Sequence, residues 1–174
     1  GSGTGLSGAA IPRSDGVLLS FEAMAEIVEI DTDNLVAVVQ PGVTLEQLDA
    51  ALEPHGLVYP VFPGEYSASL GGNVATNAGG LRAVLPSGEI VTTGGRYVKG
   101  STGYDLTQLI IGSEGTLAVV TEAVLKLYPR PRHQATVLAP FTTLGEVTAA
   151  VPAIVRSGIG PMILEYIDML TMSG

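Results

Sequence analysis

The chain has 174 residues, 46% of them hydrophobic, which is enough for one ordinary domain or one domain and part of a second. Only 8 Lys and Arg stand against 17 Asp and Glu, for a net charge of −9. That balance argues against nucleic acid or an anionic membrane surface as partner, because both demand clustered cations. There is no cysteine, so disulfides, thiolate metal sites and cysteine nucleophiles are excluded. The two histidines, His55 and His133, are far apart in the chain, and no carboxylate cluster suits calcium, so no metal is expected. A phosphorylated ligand would have to be held by backbone N–H groups rather than lysines.

The first stretch is Gly1-Ser2-Gly3-Thr4-Gly5-Leu6-Ser7-Gly8. Gly3, Gly5 and Gly8 satisfy G-x-G-x-x-G, but the dinucleotide fold needs a helix directly afterwards. Pro12 and the turn at Ser14-Asp15-Gly16 forbid one. What remains is a glycine-rich nest able to cradle an anion, with a flexible terminus as the alternative. The chain opens without Met and inside this motif, and it reads as a piece of a longer protein. Strands are expected over residues 17–20, 27–30 and 35–40, with a hairpin turn over 31–34. Thr44 and Gln47 form the signature of a capping box, and Leu45, Leu48, Ala51 and Leu52 continue at helical spacing until Gly56. His55 falls in the last turn, a position that suits a cation at the negative end of the helix. Residues 57–61 read as extended and 62–65 as a turn.

Residues 69–82 follow: Ser-Leu-Gly-Gly-Asn-Val-Ala-Thr-Asn-Ala-Gly-Gly-Leu-Arg. Glycines and neutral amides fill this stretch where a solvated linker would carry charge. It reads as a wall on which a flat or phosphorylated ligand rests, with a loop packed for its own sake as the alternative. A strand–turn–strand is expected over 85–93, short helical turns over 103–109, a third glycine loop over 110–117 and a strand over 118–127. Pro129, Arg130, Pro131 and Arg132 read as a linker between a domain over 1–130 and a second over 131–174. In the second, strands are expected over 135–139 and 161–167 and a helix over 143–156. One long uncharged ligand touching the loops near Gly3, Gly72 and Gly115 would account for all three, and a dinucleotide cofactor has that length.

Residues 1–9, 71–82 and 103–122 (GYDLTQLIIGSEGTLAVVTE) resemble the FAD-linked oxidase family that holds D-lactate dehydrogenases and the flavin subunit of glycolate oxidase. GGNVATNAGG together with GSEGT carries most of that resemblance. It implies an α+β fold, a PCMH-type, vanillyl-alcohol-oxidase-like FAD-binding domain of two α+β subdomains, followed by the start of an α+β cap domain. It implies that Gly1, Ser2, Gly3, Thr4, Gly5 and Gly8 hold the FAD pyrophosphate. It implies that Pro63, Gly64, Leu70, Gly71, Gly72, Thr76, Ala78 and Gly79 line the flavin and ribityl chain, with Glu114, Gly115 and Val119 closing the site. Members of the family usually carry a further stretch, a Tyr-Gly pair included, between the positions of Val84 and Leu85; here it is missing. The implied reaction is oxidation of a D-2-hydroxy acid such as lactate or glycolate, with hydride transfer to flavin N5. The catalytic residues are unassigned, and Arg82 is the candidate for the substrate carboxylate. Thr4 stands where tethered relatives carry a histidine, so FAD is expected to be non-covalent. Implied partners are the small hydroxy acid and an electron acceptor or partner subunit, with no nucleic acid; homo-oligomers stay open. The expected location is cytoplasmic, or peripheral to a membrane through a partner. Another flavin reductase or oxidase on the same cradle, and a non-catalytic nucleotide-binding module, are the alternatives.

Overall fold

The structure is a computed structural model that describes residues 2–5, 8, 10–61, 65–74, 78–96 and 103–168. The chain divides into two compact units, Gly1–Arg130 and Pro131–Gly174. The first is built on an antiparallel sheet of strands β1 (Ile27–Asp31), β2 (Val36–Val39), β4 (Ala78–Val84), β5 (Ile90–Gly94) and β6 (Val119–Lys126). Their order across the sheet is β1-β2-β6-β4-β5. A second, two-stranded ladder joins β3 (Leu57–Val58) to β7 (Tyr128–Pro129).

The hairpin between β1 and β2 closes as its composition predicts. Asp31 accepts hydrogen bonds from the amides of Asp33 and Asn34 and from the Asn34 side chain at 2.7–3.1 Å. The Asn34 side-chain bond is the main reason its carboxyl lies below the usual carboxylate range. Helix α1 (Leu45–Leu52) starts at the Thr44 and Gln47 capping box, and a 3-10 turn ends at Gly56. Leu45, Leu48 and Leu52 of α1 are buried in one cluster with Ala37 and Val39 of β2, Leu81 and Ala83 of β4, and Ala123 and Leu125 of β6. The period-two alternation of the strands thus meets the 3.6 period of the helix. Helices α2 (Leu70–Asn73) and α3 (Leu106–Ile110) add Leu70 and Ile110 to that core. A buried pair of hydroxyls, Thr107 donating to Thr93 at 2.9 Å, pins α3 to β5.

Several expectations need correction. Residues 17–20 form no strand; Val17 is 90% exposed. The run has β-forming composition but no ladder partner among the described residues, and a strand without a neighbour gains no cross-strand bonds. The same holds for 135–139 and 161–167 in the second unit, where helix α4 (Leu144–Arg156) is the only element among the described residues. Within residues 69–82 lie α2 and most of β4, a helix and a strand that the sequence reading did not assign. Pro129 and Arg130 are not linker. Pro129 stands opposite Leu57, the Arg130 amide donates to Gly56 (2.8 Å), and its side chain bonds the Leu57 carbonyl and pairs with Asp49.

Candidate functional site

The site is assembled at the end of the sheet where β2 leaves and β6 enters. Val36 stands opposite Lys126 and Val39 opposite Ala123, so β2 runs out into Pro41 beside the start of β6. There the chain packs against α2: Gly71 donates to the Pro41 carbonyl (2.8 Å) and Leu70 to the Val43 carbonyl (2.7 Å). A Cβ on Gly71 would fall 2.6 Å from the Pro41 ring, so this glycine answers to packing within the protein. Gly80 is similar, since a Cβ there would lie 2.7 Å from the Gly95 amide. Gly72 differs: its outer side is open, with only the Ser69 Oγ at 3.9 Å.

The first glycine loop is joined to this place by Ser69. The Ser2 amide donates to the Ser69 hydroxyl (3.2 Å) and the Ser69 amide to the Ser2 hydroxyl (3.1 Å). Ser69 is 7% exposed, whereas residues 2–5 are exposed. Gly3 has φ +75, and added Cβ atoms at Gly3 and Gly5 meet nothing within 4 Å. Among the described residues, the amides of Gly3, Thr4 and Gly5 donate to no protein acceptor. Uncommitted N–H groups on an open backbone without cations suit a diphosphate, so these residues fit the phosphate end of a dinucleotide.

The third loop enters β6 at the same end of the sheet. Gly112 (φ +76), Glu114 (φ 51) and Gly115 (φ +80) all have positive φ. A glutamate in that region is uncommon and costs backbone energy. Glu114 and Gly115 are exposed, and Val119 is half-buried opposite Val84. The remaining candidates lie elsewhere. Ala78 begins β4 opposite Leu125, at the far end of the sheet, and Gly79 follows it. Arg82 lies mid-strand, exposed between Thr92 and Glu122 in register. Gly8 is half-buried near the Ile11 side chain. Gly1, Pro63, Gly64 and Thr76 lie outside the described residues. Sequence reasoning set Ser69 at the head of the 69–82 stretch but missed its bonds to Ser2, which no local signal marks because the two are 67 residues apart.

Among the described residues, no three His, Cys, Asp or Glu side chains group as metal ligands. No described helix is long and apolar enough to cross a membrane.

An uncharacterized FAD-linked oxidoreductase of Mycobacterium tuberculosis is 59% identical over 99% of this chain and 41% of its own length. A D-lactate dehydrogenase of Archaeoglobus fulgidus is 44% identical over 97% of the chain and 41% of its own length. The glycolate oxidase subunit GlcD of Bacillus subtilis is 42% identical over 99% and 40%. The chain therefore spans about two-fifths of the length of these relatives. The mycobacterial alignment covers 188 positions against 174 residues here, so that relative has at least 14 residues (188 − 174) without a counterpart. In this chain β4 turns into β5 within residues 85–89: Val84 pairs with Ile90, and the Leu85 amide reaches the Glu89 carbonyl at 2.9 Å. Among solved structures, an alkyldihydroxyacetonephosphate synthase superposes with a TM-score of 0.73 at 25% identity, over 94% of this chain and 33% of that one. The mixed α+β architecture with its antiparallel sheet matches that neighbour. The family model described as FAD binding domain matches residues 1–101, and the chain belongs to that family.

Proposed function

We propose that this chain is the FAD-holding part of an oxidoreductase that converts a D-2-hydroxy acid of the lactate or glycolate type to its 2-oxo acid. The observation that carries the reading is the joining of the first two glycine loops at Ser2 and Ser69, next to a stretch of exposed backbone at Gly3 and Gly5 that no side chain crowds. The relatives named D-lactate dehydrogenase and glycolate oxidase subunit support the substrate class. When bound, FAD supplies the two-electron acceptor for the alcohol carbon. The residues of this chain bind and orient. Gly3, Thr4 and Gly5 offer N–H groups to the diphosphate. Gly72 leaves room for close approach. Glu114 and Gly115 contribute a preset loop at the same end of the sheet. Arg82 is the proposed contact for the substrate carboxylate. Glu122 stands opposite it in register, so an incoming carboxylate would compete with that neighbour. Non-covalent attachment is the reading favoured by Thr4, whose hydroxyl is a poor nucleophile without an adjacent base, and by the lack of cysteine in these 174 residues.

The purified protein is expected to be yellow, to bleach on anaerobic addition of D-lactate or glycolate, and to release FAD into the supernatant in acid or guanidinium. Bleaching by NADPH alone, with both hydroxy acids inert, would reassign the reaction class. Yellow colour that stays with the precipitated polypeptide would refute non-covalent attachment.

A further inference from the structure

Ser2 and Ser69 form a closed ring of two hydrogen bonds, each serine giving its amide to the other's hydroxyl. The two ends of that ring are unequally held. Ser69 is a fixed post. It is bridged to Thr44, its carbonyl accepts from Gly72 (3.0 Å) and Asn73 (3.3 Å), and the two residues after it are bonded to Val43 and Pro41. Ser2 belongs to an exposed loop. Among the described residues, the ring is the only hydrogen bonding that ties residues 2–5 to the rest of the unit. Each hydroxyl accepts an amide within the ring and keeps its own O–H to donate.

We propose that Ser2 and Ser69 are positioning residues for the cofactor diphosphate, acting as a clasp that sets the first glycine loop against α2. This rests on the functional reading above, with FAD as the ligand. The physical argument is one of preorganisation. A loop fixed in its binding geometry loses less entropy when the ligand arrives, so affinity falls when the clasp opens. A ring also fails as a unit. Removing either hydroxyl leaves one bond on an exposed segment, where water competes for it, so loss of the second adds little.

The test uses the deflavinated protein as wild type and as Ser2→Ala, Ser69→Ala, the double variant and Ser2→Thr. FAD, ADP and riboflavin are titrated into each, and hydrogen exchange is followed over the first glycine loop without ligand. Each single alanine variant is expected to weaken FAD and ADP by about fivefold, the equivalent of one net hydrogen bond. The double variant should be within about twofold of the weaker single, by the coupling of neighbouring sites. Exchange in the first loop should rise in all three alanine variants. Riboflavin, which lacks a phosphate, should bind unchanged, and Ser2→Thr, which keeps the hydroxyl on an exposed residue, should behave as wild type. Losses that multiply in the double variant, a single variant with unaltered FAD affinity, or a parallel loss for riboflavin would each overturn the clasp. A wild type that takes up neither FAD nor ADP overturns the functional reading and this role with it, and the exchange data then still report whether the ring forms.

Discussion

Helices α1 and α4 begin with the same chemistry and end in different surroundings. In α1, the Thr44 hydroxyl accepts from the Gln47 amide (3.2 Å) and the Gln47 side chain accepts from the Thr44 amide (3.0 Å). In α4, Thr143 and Glu146 repeat the arrangement at 3.3 and 3.2 Å, and Thr142 adds its amide and hydroxyl to the same carboxylate, both at 2.9 Å. Yet α1, with 8 residues, buries three leucines, while α4, with 13, has no buried residue. Leu144 is 62% and Val155 66% exposed. A capping box decides where a helix starts, because it satisfies orphan amides locally. Whether the helix contributes to a core depends on what its apolar side meets.

The strongest way to break the comparison is to empty the α1 side. Leu48→Ala should destabilise the first unit by about 2–5 kcal/mol, since Leu48 is fully buried. Val155→Ala in α4 should change stability by less than about 0.5 kcal/mol. Urea denaturation of the two variants of the 174-residue chain measures both, and equal losses would refute the contrast. A smaller effect is expected from the tie that α1 has and α4 lacks. Arg130→Met removes the pair with Asp49 and the bond to the Leu57 carbonyl, with both charged side chains partly exposed at 27% and 39%. Discounted for that exposure, the loss should be about 1–2 kcal/mol, and it should be read as a lower unfolding midpoint.

The caps come next. Thr44→Ala and Thr143→Ala should each cost their helix about 1 kcal/mol. Thr44→Ala should lower the global unfolding midpoint, whereas Thr143→Ala should appear as faster amide exchange in the first turn of α4. The smallest effect, and the sharpest distinction, is pH. Bonding from the Thr142 hydroxyl, then from the Thr142 and Thr143 amides, holds the Glu146 carboxyl below its ordinary 4.5. The folded value is thus depressed, so the stabilisation is complete above the unfolded value and is lost as pH falls through the lower folded one. Protection of the Thr142 and Thr143 amides from exchange, taken relative to their intrinsic rates, should be lost as pH falls through the depressed carboxyl value. The corresponding amide at Thr44 should not respond, because neutral Gln47 has nothing to titrate. A matching acid transition at Thr44 would contradict the assignment.

The candidate site was legible in the same uneven way. The loops near Gly3, Gly72 and Gly115 stand out in the sequence because glycine runs without charges are rare in solvated linkers. The joining of the first two does not stand out. Ser2 and Ser69 are 67 residues apart, and no composition or period links them. Gly71 is expected to line the flavin, and the structure gives its lack of a side chain a second reason, since Pro41 occupies the space a Cβ would need; the Gly95 amide does the same at Gly80. A glycine in a sequence says that something comes close to the backbone; only the fold says whether that is the protein itself.

Local bonding rules let the sequence determine the Asp31 and Asn34 turn, both Thr-capped helices and the alternating strand β6. Each rests on partners within a few residues, or on a period that the chain carries with it. Tertiary structure alone decided that residues 17–20, 135–139 and 161–167 are not strands, that Arg130 anchors rather than links, and that Ser69 is the post of the first glycine loop. Those outcomes depend on a ladder neighbour, an ion partner or an amide brought from far along the chain. Free energy of that kind exists only once the chain has closed the intervening loop.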